Sequence, residues 1–310
     1  MTAPAIEAVD LYKTFGHSTA LDGVSFSVAP GTVFGMIGPN GAGKTTTMRI
    51  LLDIIRPSSG RARVLDTDAR NAGPALRRRI GYLPGDLILQ GRISGRRLLT
   101  QYVDISGPVR PGRIDELAER LRVDLDRPVR KLSKGNKQKL GIIQAFMHEP
   151  ALLVLDEPTS GLDPLMRQEF LAMVKESKAA GQCVFLSSHV ISEIQQAADE
   201  VAILRNGRIV RVATVEDLRG TAVRHLRLRV AGTGAGDLRS RLQTLPGLDN
   251  LKITDDDGRG AAASATLAGA IAPILAALAV LPLTDLVLEE PDLEESVLSL
   301  YTAPNSEEQS

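Results

Sequence analysis

The chain has 310 residues, 43% of them apolar and 24% charged, enough for two domains with sizeable cores. Its 37 basic and 37 acidic side chains cancel to a formal net charge of zero, which argues against attachment to nucleic acid through bulk charge. The lone cysteine, Cys183, excludes an intrachain disulfide. Inside the apolar run CVFLSS it reads as a small core residue, and a reducing compartment fits.

The N-terminus, MTAPAIEAVD, has no basic segment followed by an apolar one, so no signal peptide is expected. LYKTFG and ALDGVSFSVAPG carry alternation and turn residues, as does VAILRNGRIVRVA further along. These predict antiparallel strands at the edge of the main sheet. TVFGMIG (32–38) is a short apolar strand, and KTTTMRILLDII (44–55) follows with helical spacing. Strand signals weaken from 86 to 150, where GRRLLTQYVDI and RIDELAERLRV predict a helical insert. ALLVLDE (151–157) and CVFLSSH (183–189) are near-continuous apolar strands, and VISEIQQAADE (190–200) reads as a helix. Strands apolar on both faces, alternating with helices, predict an α/β fold with a parallel sheet covered by helices.

After about residue 220 the texture changes. HLRLRVAG (225–232) alternates as a strand, DLRSRLQTL (237–245) reads as a helix, and NLKITDDDG and AASATLAG as strands. APILAALAV predicts a helix and LTDLVLEE (283–290) a strand. That order, β-α-β-β-α-β, is the ferredoxin-like arrangement of a small α+β domain. The stretch 265–283 is long enough to cross a bilayer, but it is mostly Ala and is interrupted by Pro273 and Pro282. It is read as soluble helix and strand. A last helix, DLEESVLSLY, ends an accessory domain placed at 221–303, and a disordered tail is expected at 304–310.

GPNGAGKTT (38–46) matches the phosphate-loop pattern G-x-x-x-x-G-K-[ST] between a strand and a helix. Gly38, Gly41 and Gly43 let backbone N–H groups crowd phosphate oxygens without Cβ clashes, and the helix adds its positive end. Lys44 places a point charge on the β- and γ-phosphates, and the Thr45 hydroxyl suits Mg²⁺. The nucleotide-binding candidates also include Pro39, Asn40, Ala42 and Thr46. Two acids at a strand end are by themselves a solvated rim. Beside a phosphate loop, Asp156 is a candidate to help hold Mg²⁺. Glu157, next along the strand, is expected to point elsewhere and to polarise the attacking water as general base.

With these motifs in this order over roughly residues 6–220, the chain resembles the ATP-binding subunits of ABC transporters. The resemblance implies a P-loop NTPase core at 1–220 with an antiparallel edge sheet and a helical insert at about 86–150. KLSKGNKQKLGIIQAF (131–146) is similar to the family's signature sequence, with Ser133 as a helix N-cap and Gly135 and Asn136 opening the helix. Lys134 and Asn136 stand where the usual L-S-G-G-Q has its first Gly and its Gln. SGLD (160–163) resembles the D-loop, whose Asp163 would contact a second copy, and His189 matches the switch histidine that reaches the γ-phosphate. His17, His148 and His225 are read as structural. Phe15 stands where the family has an aromatic residue on adenine, with Tyr12 a possible contributor. IGYLPGDLIL departs from the pattern: Gly85 occupies the place of a Gln that contacts Mg²⁺ and water, with Asp86 or water as substitutes.

The resemblance further implies a head-to-tail homodimer sandwiching two ATP molecules, with Ser133 and Gly135 of one copy facing the phosphate loop of the other. The subunit would sit peripherally on the cytoplasmic face of the membrane, held by separate permease subunits, with no nucleic-acid partner. LYKTFG, GYLPGD, the LSKGN signature and LEEPDLEESVLSLY together look most like the drug-resistance exporter branch. Two other readings are an ABC-type ATPase with no membrane partner, and a module that holds ATP without hydrolysing it. One phosphate loop, no extended heptads and an intact Glu157 and His189 weigh against them.

Overall fold

The computed structural model describes residues 3–71, 73–221, 224–255, 260–267 and 269–289. The last helix and the tail expected from the sequence lie outside those residues. Contacts divide the chain into two units, Met1–Val215 and Glu216–Ser310.

In chain order the first unit contains β1 (Ile6–Phe15), β2 (Ser18–Val28), β3 (Val33–Ile37), α1 (Lys44–Leu51), β4 (Ser59–Val64) and β5 (Thr67–Asp68). It continues with α2 (Pro74–Arg77), β6 (Ile80–Leu83), α3 (Gly95–Ser106), α4 (Arg113–Arg120) and α5 (Lys134–Phe146). Then come β7 (Leu152–Asp156), α6 (Pro164–Ala179), β8 (Cys183–Ser188), α7 (Ile191–Ala197), β9 (Glu200–Arg205) and β10 (Arg208–Thr214), with α8 (Val215–Thr221) at the boundary.

The central sheet has the order β10-β9-β3-β8-β7-β6. All of its pairs are parallel except β10–β9. Strands β3, β7 and β8 are buried at every residue, which explains why their sequences are apolar without alternation. This arrangement corrects the expected placement of the early strands. β1 and β2 pair antiparallel with each other and join β4 and β5 in a second sheet, order β2-β1-β4-β5. It also corrects the reading of VAILRNGRIVRVA. Its first half, β9, is buried from Val201 to Leu204 and pairs in parallel with β3 inside the central sheet. Only β10 is an antiparallel edge, reached through a turn in which Asn206 and Gly207 both have positive φ (49° and 77°).

The two sheets share a core. Phe26 of β2 stacks on Phe34 of β3 and Phe185 of β8, with ring centroids 5.5 and 5.6 Å away. Helix α1 ends at Leu51, four residues before the expected limit. Asp53 adopts a left-handed conformation (φ 52°), which an aspartate tolerates and a helix interior does not. Helix α7 likewise ends at Ala197, because Glu200 already belongs to β9.

The insert supplies α3, α4 and α5. Ser94 caps α3 by accepting from Arg97 N. Arg120 at the end of α4 donates to Glu169 Oε1 and to both oxygens of Glu176, two turns apart on α6, at 2.7 to 2.9 Å. Close backbone approach fixes β6 against α5: a Cβ on Gly81 would stand 2.1 Å from Ala145 O and 2.9 Å from Pro150 Cγ. Gly81→Ala is therefore expected to destabilise the first unit by about 3 kcal/mol through overpacking, lowering Tm by roughly 5–10 °C in a thermal melt.

The second unit runs β11 (Arg224–Ala231), α9 (Ala235–Leu242), β12 (Leu248–Asp255), β13 (Gly260–Leu267), α10 (Ala272–Leu278) and β14 (Leu283–Glu289). Its antiparallel sheet has the order β12-β13-β11-β14. Alternation decides its faces. Leu226, Leu228 and Val230 are buried with Leu238 and Leu242 of α9 and Ile274 and Leu278 of α10, while Arg227 and Arg229 are exposed. The apolar stretch 265–283 divides among the end of β13, α10 and the start of β14. Among the described residues no helix is long and apolar enough to cross a membrane.

Candidate active site

The loop between β3 and α1 is shaped by contacts that exclude side chains. A Cβ on Gly38 would lie 2.5 Å from Leu204 O. Gly43, the N-cap of α1, has φ 110° and sits against Ala20 O and Leu21, where a Cβ would be 2.7 Å from either. Lys44, 6% exposed, folds back over the loop: Nζ donates to Gly38 O at 2.6 Å and lies 3.3 Å from Pro39 O. It is also 3.5 Å from Glu157 Oε1.

The end of β7 faces this loop. Asp156 is fully buried, and each of its oxygens has a hydroxyl donor. Thr45 Oγ1 donates to Oδ2 at 2.7 Å, and Ser187 Oγ donates to Oδ1 at 2.6 Å. Ser187 Oγ also accepts from Glu157 N at 3.1 Å, so one β8 side chain holds both acids.

Strand alternation predicts that Glu157 points away from Asp156, and the structure corrects this. Glu157 takes φ 48°, a left-handed conformation that a glutamate rarely adopts. The chain leaves its pleat there, and both carboxylates reach adjacent residues of the phosphate loop, Thr45 and Lys44. Glu157 Oε2 lies 2.6 Å from His189 Nδ1, at the end of β8. Thus Lys44, Glu157 and His189 form a line of cation, carboxylate and imidazole beside the Thr45–Asp156 pair.

Gly85 lies against Asp156: a Cβ there would be 3.1 Å from Asp156 Oδ2. The space that a longer side chain would need is already bounded by the carboxylate, and Asp86 forms no hydrogen bond or ion pair with the site among the described residues.

Other candidates lie apart from this cluster. Ser133 caps α5, accepting from Asn136 N at 3.2 Å, and the helix starts at Lys134, one residue earlier than expected. Gly135 approaches Gly161, whose carbonyl would be 2.7 Å from an added Cβ. Among the described residues no hydrogen bond or ion pair joins 133–136 to the phosphate loop. Asp163 is exposed and caps α6, accepting from Met166 N at 3.0 Å. Phe15 ends β1, half exposed, with Lys13 Nζ 4.8 Å from its ring centroid. His17 is exposed in the β1–β2 turn. His148 is partly buried, and desolvation holds its pKa below the ordinary range. Burial pushes the Cys183 thiol up to about 11, which leaves it protonated and inert.

Three side chains that hold this region were not picked out from the sequence. Ser187 gave no signal beyond its place two residues before His189. Gln138, buried in α5, donates to Pro158 O at 3.0 Å. Glu193 of α7 accepts from Thr159 and Ser188.

The model of the ABC transporter family matches residues 21–160. The daunorubicin resistance ATP-binding protein DrrA3 of Streptomyces coeruleorubidus is 34% identical over 307 residues, covering 97% of this chain and 96% of that protein. The chain belongs to the family of ABC transporter ATP-binding proteins.

The bacitracin transport ATP-binding protein BcrA of Bacillus licheniformis is also 34% identical, over 73% of the present ABC subunit and 75% of its own length. An ABC transporter ATP-binding protein of Nostoc sp. is 36% identical, and the ABC subunit spans 62% of its length. A solved ATP-binding subunit of an ABC transporter superimposes with a TM-score of 0.63 at 30% identity, over 69% of this chain and 92% of that one. The ABC subunit is thus an ABC-type ATPase with the cassette fold.

Proposed function

We propose that this ATPase hydrolyses ATP between two copies of itself and powers export of a drug or antibiotic through a separate membrane permease. One observation carries the chemistry: the Glu157 carboxylate is held between Lys44 Nζ and His189 Nδ1. Lys44 would leave the loop carbonyls for the β- and γ-phosphates. Glu157 would then take the proton of the attacking water, and His189, oriented by Glu157, would reach the γ-phosphate. The hydroxyl of Thr45 and the carboxylate of Asp156 are hard oxygen donors 2.7 Å apart, a set that fits Mg²⁺. When bound, the metal would neutralise charge on the phosphates; Ser187 keeps the Asp156 carboxylate in place for it.

Among the described residues Ser133, Gly135 and Asp163 make no hydrogen bond or ion pair with their own phosphate loop, which supports their use by a second copy. The resulting dimer would be head to tail, with two ATP molecules between the copies. The match to DrrA3 over nearly its whole length, second unit included, supports drug export and a peripheral position on the cytoplasmic side of a permease. Equal identity to a bacitracin and a daunorubicin protein leaves substrate choice to that permease.

Phosphate release by the purified chain with Mg²⁺ and ATP tests the hydrolysis. ATP-driven uptake of drug into inverted vesicles holding the permease tests the export. The adenine contact has its own test. Phe15→Ala removes a stacking face worth about 1–2 kcal/mol, so Kd for ATP should rise roughly 5- to 30-fold in a titration, with kcat little changed.

A further inference from the structure

Glu193 is a buried carboxylate outside the phosphate site. It is 6% exposed, in the first turn of α7, four residues after His189. Its Oε2 accepts from two buried hydroxyls: Thr159 Oγ1 at 2.6 Å and Ser188 Oγ at 3.0 Å. Its Oε1 is buried without a hydrogen-bond partner among the described residues. Taking a carboxylate oxygen out of water without a partner costs stability, so packing alone is a poor reason for an acid at this place.

What the two hydroxyls belong to is informative. Thr159 lies in the turn 157–163, between Glu157 and Asp163. Ser188 is the residue before His189, and its Oγ also accepts from Val190 N at 2.9 Å, so it fixes the backbone on both sides of the imidazole. Ser187, one residue earlier, holds Asp156 and the Glu157 backbone. The loop carrying His189 is therefore tied to the loop carrying Glu157 at two points. Ser187 ties it at the strand end, and Glu193 ties it through Thr159 further along the turn.

We propose that Glu193 is a positioning residue for ATP hydrolysis, pinning the His189 loop to the turn that runs from Glu157 to Asp163. This rests on the reading of Glu157 and His189 given above. The carboxylate touches neither substrate nor reacting atoms and acts through His189. Its second effect is to make movement of the Asp163 turn, which faces the second copy in the proposed dimer, register at the imidazole.

The test is a set of full-length variants assayed for ATP Kd, for steady-state kcat and KM, and for the single-turnover rate. Glu193→Ala should lower kcat about 10- to 50-fold with Kd for ATP unchanged within about twofold, since only the chemical step uses His189. Glu193→Gln retains an acceptor oxygen of the same reach and should keep at least about a third of kcat. In a His189→Ala background, Glu193→Ala should cost less than about twofold more, because residues acting through one group are not additive. If Glu193→Ala fails to fold, Thr159→Val and Ser188→Ala each remove one donor, and the same non-additivity with His189→Ala is expected of them. Full additivity in the His189→Ala background overturns the proposal, as does a kcat for Glu193→Ala within twofold of the parent. So does a loss in which Kd and melting temperature shift in step with kcat. Should Glu157→Gln prove as active as the parent, the underlying reading fails. An inactive Glu157→Gln with full additivity removes only the role of Glu193.

Discussion

Glu157→Gln is expected to bind ATP within about threefold of the parent and to lose at least about 100-fold in kcat. Gln keeps the shape of the side chain and can still contact Lys44 and His189, but an amide cannot take a proton from water. The site predicts this split because Glu157 is the acid with freedom to act. Asp156 is fully buried with a donor on each oxygen, whereas Glu157 is about one-fifth exposed and shares its carboxylate with a lysine and an imidazole. Its left-handed backbone is a conformation that local energetics disfavour, and it is what turns the carboxylate towards Lys44. A tenfold rise in Kd with unchanged kcat would instead make Glu157 a binding residue. Equilibrium binding with a fluorescent ATP analogue and phosphate release measured side by side separate the two outcomes.

Lys44→Ala is expected to weaken ATP binding about 100-fold or more, measured in the same titration. Nζ is almost fully buried and rests on two loop carbonyls and Glu157, so the cation is already gathered where phosphates would sit. A charge-assisted contact is worth roughly 1.5–3 kcal/mol, and its removal also leaves Glu157 facing the incoming phosphates without a countercharge. Lys44→Arg is not expected to rescue binding, because a planar guanidinium does not reproduce the compact ammonium that donates to Gly38 O. Unchanged affinity in Lys44→Ala would mean that the loop amides alone hold the nucleotide.

Legibility in the sequence varies along the chain for physical reasons. The strand ending at Asp156 announces itself because its four apolar residues, LLVL, suit a dry interior on both faces. The phosphate loop is equally local: glycines, Lys44 and Thr45 lie within nine residues. The second sheet was not legible in the same way. SGRARV, whose Ala62 and Val64 are buried and whose Arg61 and Arg63 are exposed, pairs with β1 across some fifty residues, and nothing in LYKTFG says which strand completes it. The turn at Glu157 is silent in the sequence, because a left-handed glutamate has no sequence signal, unlike a glycine. The hydroxyls of Ser187 and Ser188 are likewise ordinary in a strand. Only the fold, by laying β8 beside β7, gives Ser187 two acids to hold and turns Ser188 towards Glu193. The second unit reads easily at the level of faces, since RHLRLRV alternates and its leucines are the buried ones.

In the proposed dimer each ATP site is built from two copies, the phosphate loop of one and the signature residues of the other. Mixing two disabled chains tests it most directly. Lys44→Ala destroys a phosphate loop, Ser133→Arg blocks a signature helix, and each variant alone should be inactive. In an equimolar mixture half of the dimers pair the two variants, and each of those regains one intact site out of two. ATPase activity should therefore recover to about one quarter of the parent rate. A mixture no more active than its separate components would contradict the composite site.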